Sequence, residues 1–159
     1  MVQPIRVLLI EDDQATAALI ERYLEEAGMD PIWAARGEAG LEALDEHPDV
    51  VLLDHRLPDT DGLSLLEPIL DRPHPPIVIF LTGGGSPTVA QEALSKGAVD
   101  YRVKSPETFQ ALPRIVAQAW DEWGSLDTLA RTKPQHQPDG PPAQDLATFL
   151  ETGGIRGLV

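Results

Sequence analysis

Asp49-Val50-Val51-Leu52-Leu53-Asp54-His55-Arg56-Leu57-Pro58-Asp59-Thr60-Asp61-Gly62 is the stretch whose reading decides the fold. Its apolar run, Val50 to Leu53, is too short for a free-standing helix and is flanked by turn formers. It reads as a strand buried on both faces, as in a parallel sheet. Asp54 closes the run, and a loop with Pro58, Asp59, Asp61 and Gly62 follows. In open α/β sheets the ligand crevice lies outside the carboxyl ends of the strands. A carboxylate at such a tip is aimed at chemistry, and the other strand ends are expected to supply its helpers.

The flanking segments repeat the pattern. Upstream, residues 5–10 form an apolar strand ending in Glu11, Asp12 and Asp13. Ala17, Leu19, Ile20, Tyr23, Leu24 and Ala27 then follow at helical spacing up to Gly28, a C-terminal stop. A short strand is predicted over 31–35 and a helix over 37–46. Downstream of Asp54 the pattern predicts a helix over 62–70, a strand over 77–81 ending at Thr82, and a helix over 87–96 stopped by Gly97. A strand over 99–103 ends at Lys104, and Ser105-Pro106-Glu107 opens an amphipathic helix continuing through Trp120 and Trp123. Five strands alternating with five helices imply an α/β fold: a doubly wound parallel sheet with helices on both faces.

The 159 residues suit one domain plus a tail, and an apolar fraction of 42% is enough for a core. Residues 1–124 are read as the domain. Residues 132–143 hold four prolines and read as linker, so 125–159 forms a C-terminal extension in which 145–152 could make a short helix, marginal unless docked. The absence of cysteine excludes disulfides and thiolate chemistry and suits a reducing, cytoplasmic location. The N-terminus lacks the features of a signal peptide, and no apolar run approaches the roughly 18 residues of a membrane span. A formal charge of −14 argues against nucleic acid as a partner, since that needs a basic footprint.

Four strand ends carry Glu11 and Asp12, Asp54, Thr82 and Lys104. Crowded carboxylates repel one another, and their burial is costly unless a cation offsets it. With only oxygen ligands on offer, a hard divalent ion is the natural partner, and Mg²⁺ fits. Lys104 adds a positive charge and Thr82 a hydroxyl donor. Together these form a set for phosphoryl transfer, in which positioning and charge neutralisation provide most of the catalysis. Asp54 is the candidate nucleophile, giving an aspartyl phosphate. Asp13 reads as the cap of the first helix, and His47, His55, His74 and His136 are scattered surface residues.

On these residues the chain resembles the receiver domain of two-component response regulators, of flavodoxin-like, chemotaxis-regulator fold. The matching pieces are residues 7–13, 54–62, 80–83 and 99–104, in that order. The resemblance implies that Asp54 accepts the phosphoryl group and that Asp12 binds Mg²⁺ directly, Glu11 through water, with the backbone carbonyl of Arg56 as a further ligand. Thr82 and Lys104 then bind the phosphoryl oxygens, and Tyr101 is the switch aromatic that turns inward as Thr82 moves. Three departures stand out. Ser105 follows the lysine where the family usually has a proline, Leu57 replaces a common methionine, and Gly83-Gly84-Gly85 is unusually glycine-rich. Arg56 and Gly84 hold positions that tune phosphate lifetime in the family.

The implied function is that of a stand-alone regulator, not an enzyme in the ordinary sense. It would be phosphorylated by a histidine kinase or phosphotransfer protein and signal to a downstream protein target through its fourth helix, fifth strand and fifth helix. Alternatives are a phosphate sink or relay intermediate, and an interaction module with a vestigial site. A phosphohydrolase of the haloacid-dehalogenase type would want an acid two residues past the nucleophile, where Arg56 stands. Trp120 and Trp123 are candidates for core packing, a homodimer or docking face, or a contact holding the tail through Leu146, Phe149 and Leu150.

Overall fold

The computed structural model describes residues 3–84 and 86–124. The domain boundary and the tail contacts expected of residues 125–159 lie outside them. Chain order is β1 (Arg6–Ile10), α1 (Gln14–Glu26), β2 (Asp30–Ala34), α2 (Gly37–Ala43), β3 (Val50–Asp54), α3 (Gly62–Leu70), β4 (Ile77–Thr82), α4 (Pro87–Ser95), β5 (Asp100–Val103) and α5 (Pro106–Ala119). The strands form one sheet in the order β2-β1-β3-β4-β5, with every pairing parallel. This is the flavodoxin-like architecture expected.

Successive strand residues point to opposite faces, so the sheet generates two cores. Val7, Leu9, Val50, Leu52, Ile79 and Leu81 face α1 and α5, while Leu8, Ile10, Val51, Leu53, Val78 and Phe80 face the side where α3 packs. All five residues of β3 and all six of β4 are buried, which is why both runs are continuously apolar.

Four helices carry side-chain caps just before their first turn. Asp13 accepts from the Thr16 N–H at 2.8 Å, Asp61 from Ser64, Ser86 from Val89 and Ser105 from Thr108. Ser105 therefore gives α5 an N-cap where a proline would offer none, and the Lys104–Ser105 peptide is trans. Gly28 and Gly97, read as stops, have positive φ.

Two boundaries differ from expectation by more than one residue. The second helix ends at Ala43 and continues only as a 3₁₀ turn, Leu44–Glu46, because His47 adopts left-handed φ and ψ of 58° and 56°. The last helix changes after Ala119 into a π turn, Trp120–Gly124. Pro113 sits inside α5 without ending it. An interior proline costs about 3 kcal/mol, and burial of Leu112, Ile115 and Val116 against the sheet, at about 1.5–3 kcal/mol each, outweighs that.

The loop after β3 is pulled back onto the strand end. The Gly62 N–H donates to the His55 carbonyl at 2.7 Å. A Cβ at Gly62 would collide with the Asp54 carbonyl oxygen and lie 2.9 Å from the Phe80 ring. Gly62→Ala is therefore expected to lower stability by about 1–3 kcal/mol, the cost of overpacking, read as a lower urea midpoint. His47→Gly should act oppositely. Removing a Cβ from a left-handed residue that terminates a helix raises stability by about 0.5–1 kcal/mol, and an unchanged urea midpoint would refute the strain at His47.

Candidate functional site

The carboxyl ends of β1, β3, β4 and β5 converge on one cleft of about 680 Å³, lined among others by Glu11, Asp12, Asp54, His55, Arg56, Thr82, Gly84 and Lys104. Each acidic group has its own environment. Glu11 and Asp54 are 1% and 4% exposed, whereas Asp12 is exposed. Carboxylate oxygens of all three lie within 4.8 Å of one another.

Lys104 reaches in from the end of β5, where its own N–H is tied to the Thr82 carbonyl at 2.8 Å. Its ammonium lies 2.6 Å from Glu11 Oε1 and 3.0 Å from Asp54 Oδ2. Burial opposes the Lys104 charge, but hydrogen bonds to Glu11 and Asp54, with the two negative charges, overcome it and raise the pKa above the usual lysine value. For Glu11 the balance is different. Burial raises its carboxyl above the ordinary range, and the hydrogen bonds from Lys104 and the Asp13 N–H offset only part of this.

Three carboxylates facing one ammonium leave an excess of negative charge. The donor set is all oxygen, and one acid remains open to solvent. That combination fits Mg²⁺, which keeps several waters and uses few protein carboxylates. Arg56, expected to offer its carbonyl, lines the same cleft from the loop after β3.

Thr82 and Tyr101 are joined through the loop after β4. The Thr82 hydroxyl donates to the Gly84 carbonyl at 3.1 Å, and the Tyr101 hydroxyl donates to the same carbonyl at 3.2 Å. Tyr101 also accepts from the Ser86 N–H, and its half-buried ring stacks over Phe80 with centroids 6.4 Å apart. One backbone oxygen thus holds both hydroxyls.

The expected site residues Glu11, Asp12, Asp54, Arg56, Thr82 and Lys104 all line this cleft, and Tyr101 joins it through Gly84. Two acids read only as loop residues have structural tasks. Asp61 caps α3 by accepting from Ser64 N–H, a signal present in the sequence as an Asp immediately before the helix. Asp59 caps α2 from a distance, accepting from the N–H groups of Gly37 and Glu38 at 2.8 and 2.9 Å. Those two bonds hold its carboxyl below the usual range. No local pattern announces a cap supplied from another loop. His55, read as a surface residue, lines the cleft and sets its ring 5.7 Å from that of Phe80.

Comparison with known proteins places this geometry. Residues 7–116 match the family model described as response regulator receiver domain. The chain is 37% identical over 134 residues to the methanogenesis regulatory protein FilR1 of Methanothrix harundinacea, covering 78% of this chain and 29% of that protein. The chain spans between about a fifth and a half of the length of the curated relatives it matches. The crystal structure of the signal receiver domain of a LuxO repressor protein from Vibrio parahaemolyticus superposes with a TM-score of 0.70. It is 30% identical, over 76% of this chain and 92% of that one. A CheX–CheY–BeF₃–Mg²⁺ complex from Borrelia burgdorferi is similar at 27% identity and TM-score 0.66, over 72% of this chain and 89% of that one. The chain belongs to the response regulator receiver domain family, which serves signalling and is not an enzyme family in the ordinary sense.

Proposed function

We propose that Asp54 accepts a phosphoryl group from a histidine kinase or phosphotransfer protein. We further propose that this chain acts as a stand-alone, cytoplasmic regulator read out by a protein target. The observation that carries the reading is the Lys104 ammonium held between two buried carboxylates, Glu11 and Asp54, at the floor of an open cleft.

In this reading a carboxylate oxygen of Asp54 attacks phosphorus. A P–O bond forms, the donor's P–N bond breaks, and the donor imidazole leaves with the bonding pair. Bound Mg²⁺ would neutralise the charge gathered on the phosphoryl oxygens. Asp12 and Glu11 would hold it together with Asp54 and the Arg56 carbonyl, Glu11 through water. The Lys104 ammonium, already 3.0 Å from Asp54, would neutralise the same oxygens.

A phosphoryl group on Asp54 adds acceptor oxygens within the cleft. Thr82, whose hydroxyl now serves Gly84, gains a charged acceptor, and hydrogen bonds to charged groups exceed neutral ones by a factor of about two. Once Thr82 leaves, Tyr101 loses its companion on the Gly84 carbonyl and the packing over Phe80 shifts. The change is a population shift between two arrangements, biased by the contacts that only one of them makes. Tyr101 lies on β5, so the readout surface is formed by α4, β5 and α5. The related CheY of Borrelia burgdorferi is found in complex with a protein, CheX, together with BeF₃ and Mg²⁺, which supports protein binding by this fold. Among the described residues no helix is long and apolar enough to cross a membrane.

Incubation with Mg²⁺ and a small acyl phosphate should add one phosphoryl group to the wild type, by intact mass, and none to Asp54→Asn. Equal labelling of both proteins would remove Asp54 from the role. Thr82→Ala should still accept phosphate while the Tyr101 ring signals in its NMR spectrum stay where they were. A wild-type-sized shift in that variant would uncouple Thr82 from the switch.

A further inference from the structure

Trp33 is one of the two exposed large apolar side chains among the described residues, and it stands on the edge strand β2. The residue is 37% exposed, yet its indole N–H donates to the Glu11 carbonyl oxygen at 2.7 Å. The adjacent residue completes the arrangement, because the Glu11 N–H donates to the Ala34 carbonyl at 3.0 Å.

β1 ends at Ile10, so Glu11 lies just beyond the last rung of the sheet. A carbonyl there has left the regular ladder, and a buried one without a partner would be costly. The indole supplies the missing donor. Held at both its N–H and its carbonyl by β2, the Glu11 backbone is as fixed as if the strand continued. The Glu11 carbonyl belongs to the peptide that leads into Asp12, the exposed acid of the carboxylate cluster. The orientation of that peptide decides where the Asp12 side chain starts. Glu11 itself is pinned at its carboxylate by Lys104 and the Asp13 N–H.

We propose that Trp33 is a positioning residue for the divalent-cation site: its indole N–H fixes the Glu11–Asp12 peptide and thereby the placement of both acids. This rests on the reading of Glu11, Asp12 and Asp54 as the Mg²⁺ site. Outer residues that orient metal ligands typically change affinity by about tenfold or more when removed. Trp33 touches the backbone of a ligand-bearing residue and enters no bond to the ion.

The test is a Mg²⁺ titration of the protein labelled with ¹⁵N, followed by NMR. The Trp33 indole signal, identified by its loss in Trp33→Phe, is expected to shift along the same binding curve as the Asp12 and Asp54 amides. The Trp120 and Trp123 indole signals should stay still. Trp33→Phe, which keeps an aromatic ring and lacks the donor, should raise the Mg²⁺ dissociation constant about tenfold by calorimetry. If the wild type binds no Mg²⁺, the reading of the acid cluster falls first. If Mg²⁺ moves the Asp12 and Asp54 amides but leaves the Trp33 indole in place, the positioning role is refuted. Unchanged affinity in a folded Trp33→Phe refutes it equally, and should that variant unfold, the wild-type indole signal decides alone.

Discussion

Two carboxylates with almost no solvent exposure share one ammonium at the edge of the sheet, and the rest of the molecule is arranged around that fact. Transferring a charge from water to a protein interior costs several kcal/mol, recovered only through good geometry and further hydrogen bonds. Lys104 lies within ion-pair distance of both Glu11 and Asp54, yet one cation cannot balance two anions and the neighbouring Asp12. The residual negative charge makes the cleft a place for a cation. The sheet delivers this arrangement because its strands are parallel. Residues far apart in the chain end on one edge, the acids and Thr82 carried by the buried strands β1, β3 and β4 and Lys104 by the more polar β5.

The fold was legible from the alternation of short apolar runs with helical spacing, and the site from the residues just past those runs. Such information is local, so a single chain displays it. What stayed hidden depends on meetings between distant segments. Asp59 looked like an ordinary loop acid because its partners, the N–H groups of Gly37 and Glu38, lie at the start of α2, more than twenty residues upstream. The bond from Trp33 to the Glu11 carbonyl was equally invisible, since a tryptophan on a strand reads as packing. Boundaries failed for a different reason. His47 takes a conformation that favours glycine, and the second helix stops short where the pattern of apolar residues runs on.

The sharing of the Gly84 carbonyl by Thr82 and Tyr101 couples a residue in the cleft to one on the outer strand through a backbone oxygen. A backbone oxygen with two lone pairs accepts both donors and distinguishes neither. Loss of one donor changes the environment of the other at once. The two edge strands each reach the cleft through one bond to a backbone oxygen, β2 through Trp33 to Glu11 and β5 through Tyr101 to Gly84.

The Lys104 ion pairs also constrain the order in which the chain can become stable. β1 and β3 are central neighbours in the sheet and carry Glu11 and Asp54, while the only ammonium paired to these acids among the described residues arrives with the final strand. A nascent chain that has completed β3, or a fragment cut before β5, holds two acids destined for burial with no counter-charge. Such an intermediate leaves these strand ends in water, and the central sheet gains the contribution of the Lys104 ion pairs only when the fifth strand docks. The contacts of Lys104 with Glu11 and Asp54 thereby tie completion of the sheet to the balance of its buried acids.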